Sequence, residues 1–151
     1  MQKITPFLWF DKEAREAAKF YTSIFKGSTI KNEELLPDTP SGTVEIVSME
    51  IMGQEFTLMS AGPQFKLTEA ISFVVHCETQ EEVDYYWEKL TADGGQESMC
   101  GWLKDKFGLS WQIVPVQLNK ALSDPDPVKA KFAMNAMLQM KKIEIKKLQK
   151  A

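Results

Sequence analysis

The chain has 151 residues, 44% of them hydrophobic and 26% charged, and a formal net charge of −3. That length suits one compact domain or two small fused modules, in the composition of an ordinary soluble globular protein. The charge balance lacks the clustered Lys and Arg excess of a nucleic-acid binder, and no apolar run approaches the roughly 20 residues of a membrane span, so neither partner is expected.

The Met-Gln-Lys start leads straight into a strand-like run, which argues against a signal peptide. Residues 4–10 read as a strand apolar on both faces, with Pro6, which lacks an N–H, near its start or at an edge. From Lys12 the period changes. Ala14, Ala17, Ala18, Tyr21, Ile24 and Phe25 recur at helical spacing, and Gly27 stands where a helix end favours glycine. Alanines on that stripe let the helix lie close against a sheet. Residues 28–36 are a weaker strand candidate, and Pro-Asp-Thr-Pro-Ser-Gly at 37–42 predicts a turn. Residues 43–51 alternate as a strand and reach a second strand, 56–60, through a tight hairpin at 52–54. Residues 62–67, with Pro63, read as a linker.

The order then restarts. Residues 70–77 are a strand rich in β-branched side chains, Thr79 and Glu82 form a capping box, and Val83, Tyr86, Trp87 and Leu90 mark a second helix. Asp93-Gly94-Gly95 stops it, and a short strand is expected within 97–99. Residues 101–104 and 110–116 then make a hairpin around a turn at 105–108, with Trp111 and Ile113 on one face and Gln112 and Val114 on the other. Strand, helix and strands thus occur twice. This predicts an α+β fold of two βαβββ modules, about 1–61 and 70–118 with a linker at 62–69, within a paired region 1–120. The remaining 121–151 form a C-terminal element. There Asp126 caps and Pro127 opens a helix expected over 128–150. Its stripe of Phe132, Ala136, Met140 and Ile143, with Met134 and Met137 nearby, suits packing on its own domain or a sister subunit; a basic membrane-surface helix is the other reading.

Chemistry-bearing residues are sparse. His76, the single histidine, falls near a strand end and reads as structural or surface. Glu45, Glu50 and Glu55 read as solvated positions rather than paired catalytic carboxylates. Cys77 and Cys100 make no disulfide framework, and Cys100 has no basic neighbour close in sequence; both read as reduced thiols of a cytoplasmic protein.

Four segments carry a resemblance: Pro-Phe-Leu-Trp-Phe-Asp at 6–11, Ala-Ala-Lys-Phe-Tyr at 17–21, Ile-Phe-Lys-Gly at 24–27, and Gly-Trp-Leu-Lys-Asp-Lys-Phe-Gly-Leu-Ser-Trp-Gln at 101–112. They resemble the PhnB-like branch of the vicinal oxygen chelate superfamily, the group of glyoxalase I, extradiol dioxygenases and the bleomycin- and fosfomycin-resistance proteins. Members of this branch often carry the name 3-demethylubiquinone-9 3-methyltransferase. The resemblance spans roughly 4–118. It implies curved sheets around a cleft, a homodimer, and a divalent metal held by His or Glu from the first and last strands of each module. Those places fall at Pro6 or Thr5, Thr57, Ser72 and Gln112, none of which is a His, Cys, Asp or Glu. Hydroxyls and amides are poor ligands for Zn, Fe or Ni, so no tightly bound metal, and no other cofactor, is expected. A conventional methyl-donor site would need a glycine-rich strand-to-helix turn, which the run after Phe10 lacks.

Near the implied cleft, strand positions put Trp9, Met59, Trp102 and Gln112. Such aromatics beside an oriented amide suit a planar or partly apolar small molecule, although both tryptophans also read as core filling. The expectation is a cytoplasmic, metal-free, dimeric protein of this fold that binds a small hydrophobic or aromatic ligand. The alternatives are an enzyme of the same fold, either a methyltransferase as the family name says or a metal-dependent lyase or dioxygenase, and a structural dimer with a filled cleft.

Overall fold

A computed structural model describes residues 2–149, in two compact units divided after Leu67. The first contains β1 (Phe7–Phe10), α1 (Ala14–Ile24), β2 (Thr29–Thr39), β3 (Gly42–Ile51) and β4 (Gln54–Ser60). Its sheet runs β1-β4-β3-β2, with β1 and β4 parallel and the other pairs antiparallel. The second contains β5 (Ser72–Cys77), α2 (Gln80–Thr91), β6 (Gln96–Glu97), β7 (Trp102–Lys104) and β8 (Ser110–Pro115). Its sheet runs β5-β8-β7-β6, again with the first pair parallel. The fold is α+β, with the βαβββ unit present twice.

Alternation sorts the side chains of each sheet. In the first unit Leu8, Phe10, Val47, Met49, Phe56 and Leu58 are buried on the face that α1 covers, and Ala14, Ala17, Ala18 and Tyr21 of that helix have no exposed surface. The helix start is held by the sheet it packs on, since the Ala14 N–H donates to Ser60 Oγ at 2.9 Å. In the second unit Val75, Cys77, Leu103, Trp111 and Ile113 meet Val83, Trp87 and Leu90 of α2. Thr79 caps α2 by accepting from the Glu82 N–H at 3.2 Å. The Glu82 carboxylate reaches back to the Glu78 N–H, one residue earlier than in the reciprocal box.

Three expectations need correction. The first strand is apolar-in on one face only: it begins at Phe7, with Ile4 84% and Phe7 56% exposed. The expected turn at 37–42 shrinks to Pro40 and Ser41, because β2 continues through Pro37 to Thr39. The strand tolerates Pro37 because β2 pairs only with β3 and its register slips between Leu36 and Thr39, where Asp38 takes φ 59°. A proline there forfeits no ladder bond. The tight hairpin after β3 is a two-residue turn with Met52 and Gly53 both at positive φ, the primed geometry that matches strand twist.

The third correction is at the C-terminus. The strand β8 ends at Pro115, and Val116 opens α3 (Val116–Leu122); α4 runs Pro127–Leu138 and stops there, short of the expected 128–150, whose last residue lies outside the described residues. The Met140 and Lys141 carbonyls accept from the Cys100 and Gly101 N–H groups at 2.7 and 2.8 Å. The Gln80 side chain donates to the Ile143 carbonyl at 3.0 Å and accepts from the Ile145 N–H at 2.8 Å. Leaving the helix buries Met140, Ile143 and Leu148 against Val114 and Leu118. At roughly 1.5–3 kcal/mol per buried apolar side chain, that outweighs three more turns of exposed helix, which are marginal in water. Phe132, expected on the packing stripe, is left 37% exposed. Among the described residues no helix is long and apolar enough to cross a membrane.

Candidate functional site

Each sheet has a second face, opposite its helix, and all four cleft candidates lie there. In the first unit Trp9 and Met59 are Cα partners across the parallel β1–β4 seam, with Ile46 across from Met59 on β3. All three are half-buried. The Trp9 ring is fixed, because Nε1 donates to the Gly62 carbonyl at 2.9 Å and Phe65 meets the ring edge-on at 5.0 Å between centroids. The connecting segment after β4 therefore folds back onto this aromatic. Thr57 shares the face, and its N–H donates to the Pro6 carbonyl at 2.9 Å. Four glutamates of this sheet are ion-paired, Glu33 and Glu45 on the face that α1 covers and Glu50 and Glu55 on the second face. Arg15 spans Glu33 and Glu45 at 3.0 Å each, and Lys31 sits 3.6 Å from Glu50 and 3.1 Å from Glu55. The hydrogen bond that Lys31 donates to Glu55, then the charges of Glu50 and Glu55, hold its ammonium above the ordinary range. These are surface pairs, not an acid–base couple.

In the second unit Trp102 and Gln112 are Cα partners across β7 and β8. The Gln112 amide donates to Ser72 Oγ at 2.9 Å, across the β5–β8 seam, which orients it. Ser110, on the same face by alternation, is paired in register with both Ser72 and Lys104. Its hydroxyl is buried and makes no hydrogen bond. Lys104 pairs with Glu69, and that hydrogen bond holds the Glu69 carboxyl below its usual range. His76 is exposed. The candidates thus form two cross-strand pairs, one in each unit.

The places where the fold family implies metal ligands can be tested against this geometry. Ser72 and Gln112 are bonded to each other, and Thr57 offers only a hydroxyl. Among the described residues no three His, Cys, Asp or Glu side chains converge on a point that could hold an ion. Hydroxyl and amide donors do not fit a Zn, Fe or Ni centre.

Sequence reasoning reads Asp105 as ordinary turn chemistry and misses its larger role. It is 3% exposed; Oδ1 accepts from the Phe107 and Leu109 N–H groups at 2.9 and 3.1 Å, and Oδ2 from Trp111 Nε1 at 2.9 Å. One carboxylate therefore locks the hairpin turn and the tryptophan beside Gln112. The available signal was an acid six residues before a tryptophan across a glycine turn. The sequence profile of the 3-demethylubiquinone-9 3-methyltransferase family matches residues 2–114. The chain belongs to this family. The profile ends at Val114, inside β8, so it takes in both βαβββ units and leaves out α3 and α4.

A solved structure of the PhnB protein from Bacillus cereus, which bears the same methyltransferase name, is 35% identical over 76% of this chain and all of its own, with a TM-score of 0.67. The fosfomycin resistance protein FosX from Listeria monocytogenes is 17% identical over 81% of this chain and 97% of its own, with a TM-score of 0.60. A protein from Pseudomonas aeruginosa is 22% identical over 76% and 98%, with a TM-score of 0.57. The last two share the fold alone. None of the curated protein sequences matches. The PhnB-like family assignment and the vicinal oxygen chelate fold are thereby established. The hairpin block that carries the resemblance most specifically serves, through Asp105, to build that fold.

Proposed function

We propose that this PhnB-like protein binds a small hydrophobic or aromatic molecule on the sheet faces opposite its helices, without a resident catalytic metal, and acts in sequestration or sensing. The observation that carries the reading is the pairing of half-buried Trp102 with Gln112, whose amide is oriented by Ser72. An aromatic wall beside an oriented amide selects a flat ligand with one polar edge. The buried, unbonded Ser110 hydroxyl on the same face adds a second polar point. Trp9 with Met59 offers the same kind of surface in the first unit.

Methyl transfer, which the family name carries, finds little support. The three residues between β1 and α1, Asp11 to Glu13, contain no glycine, whereas a conventional donor site places a glycine-rich turn there. A homodimer and a cytoplasmic location, with Cys77 and Cys100 reduced, complete the proposal.

The test is elemental analysis and native mass spectrometry on protein purified without chelators or a His tag, followed by a ligand screen read by tryptophan emission. Stoichiometric transition metal, or turnover that depends on one, would sink the metal-free reading. A dimer mass with a co-purified organic molecule that quenches Trp9 or Trp102 would support it.

A further inference from the structure

Residues 116–149 lie beyond the family match and differ from it in charge. They hold seven lysines against three acidic residues, whereas 68–115 holds three lysines against nine. Part of that charge is used within the unit: Lys142 pairs with Asp84 of α2 at 2.8 Å, and Lys147 with Glu144 at 2.9 Å. The cluster of Val114, Leu118, Met140, Ile143 and Leu148 seats the extension.

The helices α3 and α4, with the closing helical turn at Ile145–Leu148, enclose an open groove of about 490 Å³. Its apolar wall is Val128, Phe132 and Leu148; Lys129, Lys131 and Asp124 also line it. The Asp124 carboxylate already accepts from the Asp126 N–H at 2.9 Å. Neither lysine is ion-paired to any of the described residues. Val128 is 70% exposed and Phe132 37%, so α4 shows water an apolar strip that its own domain does not cover. The volume lies within the roughly 300–1,000 Å³ of small-molecule sites.

We infer that this groove binds an amphiphilic anion: an acyl or aryl chain lying on Val128, Phe132 and Leu148, with its carboxylate or sulfonate at Lys129 and Lys131. Charge selects this occupant over a second copy of the chain, whose matching strip carries the same lysines and repels its mate. The groove is lined by residues of the extension alone, and none of the four tryptophans (Trp9, Trp87, Trp102 and Trp111) lies in the extension.

The test is calorimetric titration of the full chain with dodecanoate, with dodecyltrimethylammonium as the cationic counterpart of equal chain length. One dodecanoate per chain is expected, with the emission of Trp9 and Trp102 unquenched. Affinity should fall roughly tenfold in Phe132→Asp and in Val128→Asp, both at solvent-exposed positions. It should fall about fivefold in Lys129→Glu/Lys131→Glu, a loss that shrinks with added salt. Equal affinity for the cation, or affinity untouched by both apolar substitutions, would overturn the assignment. So would binding only to anionic vesicles, or concentration-dependent dimerisation that Phe132→Asp abolishes without any dodecanoate binding. A shift of tryptophan emission on adding dodecanoate that Trp9→Phe or Trp102→Phe removes would overturn it too, by placing the ligand on the sheet faces. A dodecanoate signal with no ligand found for those faces would separate this site's fate from theirs.

Discussion

The Gln112 side-chain amide donates to the Ser72 hydroxyl at 2.9 Å, so two of the positions where the fold family implies metal ligands are engaged with each other. If that bond orients the amide for a ligand, its loss affects binding more than stability. Gln112→Leu, close in volume, should cost about 1 kcal/mol by urea denaturation, the net value of a single hydrogen bond. The double variant Gln112→Leu/Ser72→Ala should cost less than the two single losses together, because neither partner is then left alone. Ligand affinity, once a ligand is in hand, should drop in every variant. Full affinity in Gln112→Leu would remove Gln112 from the site.

Asp105 makes a stronger prediction, because three donors depend on one buried carboxylate. Asp105→Ala strands the Phe107 and Leu109 N–H groups and the Trp111 indole, and should destabilise by about 3 kcal/mol or more. Asp105→Asn keeps an acceptor but turns an NH₂ toward at least one donor, so its loss should be intermediate. Urea midpoints followed by tryptophan emission give the order wild type, Asn, Ala. Equal losses for Asn and Ala would mean the charge, not the geometry, holds the turn.

The contrast between Asp105 and Gln112 shows what is legible in the chain before the structure. The stripe from Ala14 to Phe25 and the alternation of 43–51 are local patterns, and both appear as expected in α1 and β3. Local signals understate β2 because Pro37 marks a turn, while its tolerance depends on β2 being an edge strand, a fact of topology. They overstate the 128–150 helix for the opposite reason. Its stripe is periodic, but Met140 and Lys141 bond to Cys100 and Gly101, some 40 residues earlier, and no local period reports that. Trp9, Met59, Trp102 and Gln112 can be placed on one face of each sheet from alternation. The Gln112–Ser72 bond and the unbonded Ser110 cannot, because they depend on the parallel register of β5 with β8.

Cys77 links stability to pH. Burial, with a smaller contribution from the charge of Glu82, pushes its thiol from 9.0 to about 12. The unfolded chain releases this proton near its ordinary value, and the folded chain holds it. Below that ordinary value the contribution is intact; as pH rises toward 12 the folded state keeps a proton the unfolded state has lost, and stability falls. The slope is at most about 1.4 kcal/mol per pH unit. Burial also raises Tyr86, which adds to the loss once pH passes 10.0. Urea midpoints between about pH 8 and about pH 11 should decline in wild type and decline less in Cys77→Ala, which stays flat up to about pH 10 and keeps only the Tyr86 contribution above it. In the native protein iodoacetamide should alkylate half-buried Cys100 well before Cys77.

The C-terminal extension depends on a sharp bend just before β7. Cys100 at φ 59° and Gly101 at φ 85° are consecutive left-handed residues, and the bend sends both N–H groups to the carbonyls of 140 and 141. A Cβ on Gly101 would come within 3.1 Å of both the Ile113 carbonyl oxygen and Ile143 Cγ1. Gly101→Ala therefore combines left-handed strain with overpacking, for a loss of roughly 2–4 kcal/mol. Ile143→Ala should cost a similar roughly 2–5 kcal/mol through the cavity it leaves in the cluster that seats the extension. In the double variant the Ile143 contact is gone but the Ile113 carbonyl remains, so only part of the Gly101→Ala loss should return, a coupling of about 1 kcal/mol. Cys100→Gly, by contrast, relieves a left-handed non-glycine residue and should be neutral or slightly stabilising. Limited proteolysis of the three destabilised variants should release the extension before either sheet is cut. Strict additivity of Gly101→Ala and Ile143→Ala would show that the two side chains do not meet, and that the extension is seated elsewhere.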